Sequence, residues 1–103
     1  MDDLRIDDNR LLTNLDGLAG LAGLFVARVD IYGNSSLTNL DGLAGLGVFE
    51  LTISSTGLTN LDGLASVGFY VLEISSNDLL TNLAGLAGLR SSVSRLSLAG
   101  NPL

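Results

Sequence analysis

Apolar and polar residues alternate in five short runs along the chain: Leu4-Arg-Ile6, Val29-Asp-Ile31, Leu51-Thr-Ile53, Leu72-Glu-Ile74 and Leu96-Ser-Leu98. Period 2 places the two apolar side chains of each run on one face, which predicts a short strand with one side buried. Between the runs the period changes. Leu12, Leu15, Leu18 and Leu21 recur every third residue, as do Leu37 to Leu46, Leu58 to Val67 and Leu80 to Leu89. Period 3 with embedded Gly predicts 3₁₀ or irregular turns rather than long α-helices. The first apolar residues of the five runs lie 25, 22, 21 and 24 residues apart. That spacing leaves no room for separate domains. It predicts one domain over residues 1–103 in which very short strands stack in parallel about 4.8 Å apart.

The period-3 half carries a phrase, Leu12-Thr-Asn14-Leu-Asp16-Gly17-Leu, which returns from Leu37, Leu58 and, with Ala84 in place of Asp, from Leu80. Gly17, Gly42, Gly63 and Gly85 form one column; each either takes a positive φ or lets adjacent units approach closely. Asp16, Asp41 and Asp62 form another, read as turn residues bonding their own backbone. Three stacked carboxylates also raise a cation site, but no second acidic column converges on them and the calcium-solenoid signature is missing. Phe25, Phe49, Phe69 and Val93 precede the strands by two to four residues and are read as core filler, with a cofactor box as the rival reading.

The pattern L-x-[IL]-x-x-N-x-x-L-x-x-L resembles the leucine-rich repeat family, most closely its receptor L-domain-type and bacterial internalin-type repeats. The resemblance spans four full repeats and the start of a fifth. It implies an α/β-type repeat solenoid, with a short parallel sheet on the concave face and 3₁₀ or irregular turns on the convex face. It also implies that Asn9, Asn34, Asn77 and Asn101 form a ladder of side chains bonding the backbone of neighbouring coils. Thr56 stands where the third coil should carry Asn, and with a single hydroxyl the ladder is expected to be weakest there. No capping module is evident at either end. Open ends would expose strand edges and core Leu, a template for end-to-end self-association.

Charge and composition narrow the function classes. Eleven acids against five basic residues, all Arg, give a net charge of −6, which opposes a nucleic-acid footprint. The chain has no Cys and no His, so disulfides, zinc fingers and thiol or imidazole catalysis have no residues to use. A carboxylate pair could serve as a glycosidase dyad, but nothing separates such a pair from the structural acids. No signal peptide is read in the first residues, and the apolar stretch from Leu15 to Val29 is too interrupted to span a membrane. No metal or cofactor is implied.

What remains is the outward strand face. Its three columns are Asp3, Arg28, Glu50, Val71, Arg95; Arg5, Asp30, Thr52, Glu73, Ser97; and Asp7, Tyr32, Ser54, Ser75, Ala99. One reading is a protein-binding patch built on Arg5, Arg28, Asp30, Tyr32, Glu50 and Glu73, since Tyr and Arg are frequent hot spots. The other is cross-strand ion pairing, such as Arg5 with Asp30, that keeps like charges apart, and the small Ser/Thr centre favours it. Asn34-Ser-Ser36 matches a glycosylation acceptor, although an inward-turned Asn34 could not be modified without disrupting the fold. The expected function is a non-catalytic module for protein–protein interaction. Its competitor is a scaffold without a specific ligand, as a segment of a larger surface protein or an artificial repeat chain; an enzyme comes third.

Overall fold

The computed structural model describes residues 2–86 and 93–101. Five strands form a single all-parallel sheet in sequential order: β1 (Asp3–Asp7), β2 (Phe25–Tyr32), β3 (Gly47–Ser54), β4 (Gly68–Ser75) and β5 (Arg95–Ser97). Each connection carries one 3₁₀ segment: η1 (Asp16–Leu21), η2 (Asp41–Leu43), η3 (Asp62–Ser66) and η4 (Ala84–Leu86). Their period-3 leucines close i to i+3 bonds, as from Leu43 N–H to the Leu40 carbonyl and from Leu64 N–H to that of Leu61, both at 2.9 Å. Leu89 lies outside the described residues.

The core fills the space between sheet and connections. Val29 and Ile31 of β2, Leu51 and Ile53 of β3, and Leu72 and Ile74 of β4 are fully buried against Leu37, Leu40, Leu58, Leu61 and Leu80. Leu4, Ile6, Leu12, Leu18, Leu83, Leu86 and Leu98 flank this cluster and are only partly buried.

The strands differ from expectation in length. β2, β3 and β4 run for eight residues each, because the segment before each period-2 run is also extended. Within it the alternation slips. Core residues are three apart, Val26 to Val29, Val48 to Leu51 and Phe69 to Leu72, while Ala27, Phe49 and Tyr70 drop out of the strand register. The slip is a shared bulge that turns two successive side chains outward. It corrects the reading of the aromatics. Those three residues ahead of the first apolar position point inward: Phe69 is 7% exposed and Val93 packs against the core. Phe25 stands four ahead and Phe49 two ahead, so both point outward, 57% and 51% exposed. Val26 and Val48 take their places in the core.

Two backbone features set how the units fit. The residue two places past each period-2 run is left-handed in all five: Asp8, Ser55 and Ser76 at φ of 55° or 56°, Gly33 at 72° and Gly100 at 74°. This turn lets the next side chain fold inward. The Gly column of the connections has ordinary φ values, and the alternative, close approach, is what it serves. A Cβ on Gly42 or Gly85 would overlap the carbonyl of Leu15 or Leu61 in the preceding unit, and one on Gly63 would stand 2.7 Å from the Leu40 carbonyl carbon.

Candidate functional site

The residue after the left-handed turn is Asn in four units, and in three of them, Asn34, Asn77 and Asn101, its side chain joins neighbouring strands. The Asn34 amide donates to the carbonyls of Ile6 (2.7 Å) and Tyr32 (3.1 Å), while its Oδ1 accepts from Asn9 N–H at 3.0 Å. Asn77 repeats this with the Ile53 and Ser75 carbonyls and Thr56 N–H, and Asn101 with the Ile74 and Leu98 carbonyls and Asn77 N–H. Asn34 and Asn77 are fully buried, and an Asn in a core needs all of these partners. Asn9 is exposed and takes part through its backbone N–H.

Thr56 interrupts the series. Its hydroxyl donates to Asn77 Oδ1 (2.7 Å) and accepts from Leu58 N–H (3.3 Å), closing a turn that is one residue shorter than in the other units. It makes neither bond that an Asn would send back to β2, so Asn34 N–H and the Ile31 carbonyl receive no side chain from this unit. Burial of Asn34 also removes the glycosylation reading, because the acceptor amide has no route to solvent.

The second Asn column corrects the role given to Asp. Asn14, Asn39, Asn60 and Asn82 accept, through Oδ1, the backbone N–H two residues on, at 3.0, 3.2, 3.0 and 2.8 Å. These Asx turns start each 3₁₀ segment. The fourth does so at Ala84, so Asp is not required. Asp16, Asp41 and Asp62 are exposed, and no group of three or more metal-ligating side chains occurs among the described residues.

On the outward face of the sheet the strand register aligns the three columns residue for residue, except Ala99, which lies beyond β5. Arg28 pairs across strands with Glu50, Nε to Oε2 at 3.2 Å. Arg5 does not pair with its cross-strand neighbour Asp30; it turns along its own strand to Asp7 at 3.4 Å. Side chains on neighbouring residues of the same face reach each other without crossing to the next strand, and both groups stay hydrated. Among the described residues neither Asp30 nor Glu73 is in an ion pair. Tyr32 is 54% exposed on the third column.

The bulge adds a feature that the period-2 reading missed. Phe25, Phe49 and Tyr70 all emerge on the outward side, with the Phe49 and Tyr70 rings 5.7 Å apart and tilted by 41°. Phe25, Gly47, Val48, Gly68, Phe69 and Tyr70 line an open cleft of about 230 Å³. The signal available in the sequence was the pair Gly47 and Gly68, each standing just ahead of a bulged aromatic segment.

No protein-family model, no curated protein and no solved structure matches the chain. The geometry itself defines an all-parallel sheet protein with one apolar side packed against its connections and one aromatic and charged side open to solvent. No helix of the described residues is long and apolar enough to cross a membrane.

Proposed function

We propose that the chain is a non-catalytic leucine-rich-repeat solenoid, one domain over residues 1–103, that binds a protein partner through the outward strand face. The observation that carries this reading is the exposure of Tyr32, Phe49 and Tyr70 on one sheet face beside Arg28, Glu50, Asp30 and Glu73. Aromatic and Arg side chains on a rigid, hydrogen-bonded sheet bind at little cost in conformational entropy, which is the usual composition of a hot spot. The repeated strand, Asx turn and 3₁₀ segment support the solenoid assignment, and the Asn ladder supports the family resemblance. A non-catalytic role is supported by the buried polar groups of the described residues, which are Asn34, Thr56 and Asn77, all amides or hydroxyls tied to backbone or to one another. An acidic surface favours a protein partner over a nucleic acid.

A scaffold without a specific ligand is favoured by one observation: Arg28 and Glu50, at the centre of the face, already satisfy each other. A photo-crosslinking residue placed at Tyr32, and for comparison at Asp41 on the connection side, separates the two readings in cells that express the protein. A partner captured only from position 32, and bound about tenfold more weakly after Arg28→Ala with Tyr32→Ala, supports the interaction module. Binding that is unchanged by both substitutions clears the strand face of the role.

A further inference from the structure

The cleft beside the bulge has a closed wall and a vacant floor. Phe25 leans over Gly47, where an added Cβ would stand 3.2 Å from its ring; above Gly68 nothing lies within 4 Å. The floor offers no free backbone donor, because Gly47 N–H donates to the Leu24 carbonyl (3.0 Å) and Gly68 N–H to that of Leu46 (3.1 Å). The glycine floor gives a polar ligand no backbone donor, whereas an apolar side chain needs none. At about 230 Å³ the space is below the range of about 300–1,000 Å³ typical of sites that bury a whole small molecule, and suits one large residue.

Further along the same face, Asp30 and Glu73 stand in one column on either side of Thr52, two strand spacings or about 10 Å apart. Arg5, at the end of that column, is held by Asp7, and Arg28 in the column nearer the cleft is held by Glu50. Arg95 lies in that nearer column too, opposite Val71. Among the described residues the two carboxylates are therefore in no ion pair, and they form a fork on a chain whose net charge is −6. From Gly68 to Glu73 is five residues with one bulge between them, or about 13 Å along β4.

We propose that this face receives an extended peptide segment of another protein. One apolar or aromatic side chain of the segment occupies the cleft over Gly68, and a Lys or Arg four positions away, on the same side of the extended segment, sits between Asp30 and Glu73. The proposal rests on the reading of the strand face as a contact surface and names the chemistry of its partner. The cleft supplies the anchor, and the carboxylates fix direction and register, because reversing the segment would carry the cation away from them. The overall negative charge speeds encounter with a cationic segment.

The test is selection of phage-displayed random dodecapeptides on the immobilised protein, followed by fluorescence anisotropy of synthetic copies at two salt concentrations. Enrichment of an aromatic or aliphatic residue four positions from Lys or Arg is expected. Gly68→Leu, whose Cβ would meet nothing within 4 Å, should weaken those peptides about tenfold or more while circular dichroism stays unchanged. Asp30→Asn with Glu73→Gln should weaken them several-fold and flatten the salt dependence. No enrichment, enrichment without the spaced cation, indifference to Gly68→Leu, or selective capture of oligosaccharides on a glycan array would each overturn the proposal. The strand-face reading survives that failure if a cross-linked partner still depends on Arg28 and Tyr32. It falls separately if the partner maps to the connection side.

Discussion

At Ser76 the chain leaves β4 with φ of 55°, a conformation that costs an L-residue about 1–2 kcal/mol and glycine almost nothing. Gly33 and Gly100 fill the same column, so the fold tolerates Gly there. Ser76 is exposed and its neighbour Ser75, not Ser76, bonds to Ser54. Ser76→Gly should therefore raise stability by about 1 kcal/mol, read as a shift of the urea midpoint at constant slope. The next residue behaves oppositely. Asn77→Ala would strand the carbonyls of Ile53 and Ser75 together with Thr56 N–H and hydroxyl, and should cost about 3 kcal/mol or more. Thr56→Val, which keeps shape but removes two hydroxyl bonds, should cost about 1–2 kcal/mol in the same assay. The inward Asn positions were legible because Asn recurs beside every period-2 run but one. The left-handed column was hidden, since Asp8, Ser55 and Ser76 occupy it beside only two glycines.

Within the elements, identical words carry unequal weight. Leu-Asp-Gly-Leu is the same at Gly17 and Gly42, yet a Cβ on Gly17 meets nothing within 4 Å and one on Gly42 meets the backbone of Leu15. Gly17→Ala should change stability by less than about 0.5 kcal/mol, while Gly42→Ala should cost about 3 kcal/mol or more, compared by thermal melting of the two variants. The aromatics divide in the same way. Phe69→Ala should cost about 3–5 kcal/mol, against less than about 1 kcal/mol for the exposed Phe49→Ala. Periodicity alone located the strand runs and the 3₁₀ segments, because each depends on local spacing. It could not place the aromatics, because their direction depends on a bulge whose traces are an offset of two, three or four residues before the period-2 run and the glycines Gly47 and Gly68. The Asx turns were attributed to Asp for a related reason: Asn and Asp stood two apart in three phrases, and only Ala84 in the fourth, seen with its N–H on Asn82, separates their roles.

Across the whole molecule, acids exceed Arg by six, and the two ion pairs on the strand face among the described residues are exposed or, at Glu50, half-buried. Exposed pairs of this kind contribute about 0.2–1 kcal/mol each at most, so Arg28→Ala should leave the melting temperature nearly unchanged. Repulsion among the carboxylates is the larger collective effect. Adding sodium chloride should therefore hold or raise the melting temperature, and a steady fall would show that the ion pairs matter more than proposed. The columns of the outward face were legible from spacing except at Ala99, which lies beyond β5, since parallel strands in sequence leave one register open. Pairing within the columns was not, because Arg5 can reach Asp7 as readily as Asp30.

One asymmetry in the contacts runs through every unit. The Asn34, Asn77 and Asn101 amides reach back to carbonyls of the preceding strand, and Gly42, Gly63 and Gly85 each rest on backbone already laid down before them. On a ribosome that order matters. A unit of about 22 residues takes about one to four seconds to emerge at ordinary synthesis rates, and the carbonyls and backbone on which its Asn and Gly seat have been synthesised before it. Each newly made segment finds its seat waiting, so the chain can be assembled in the direction in which it is translated.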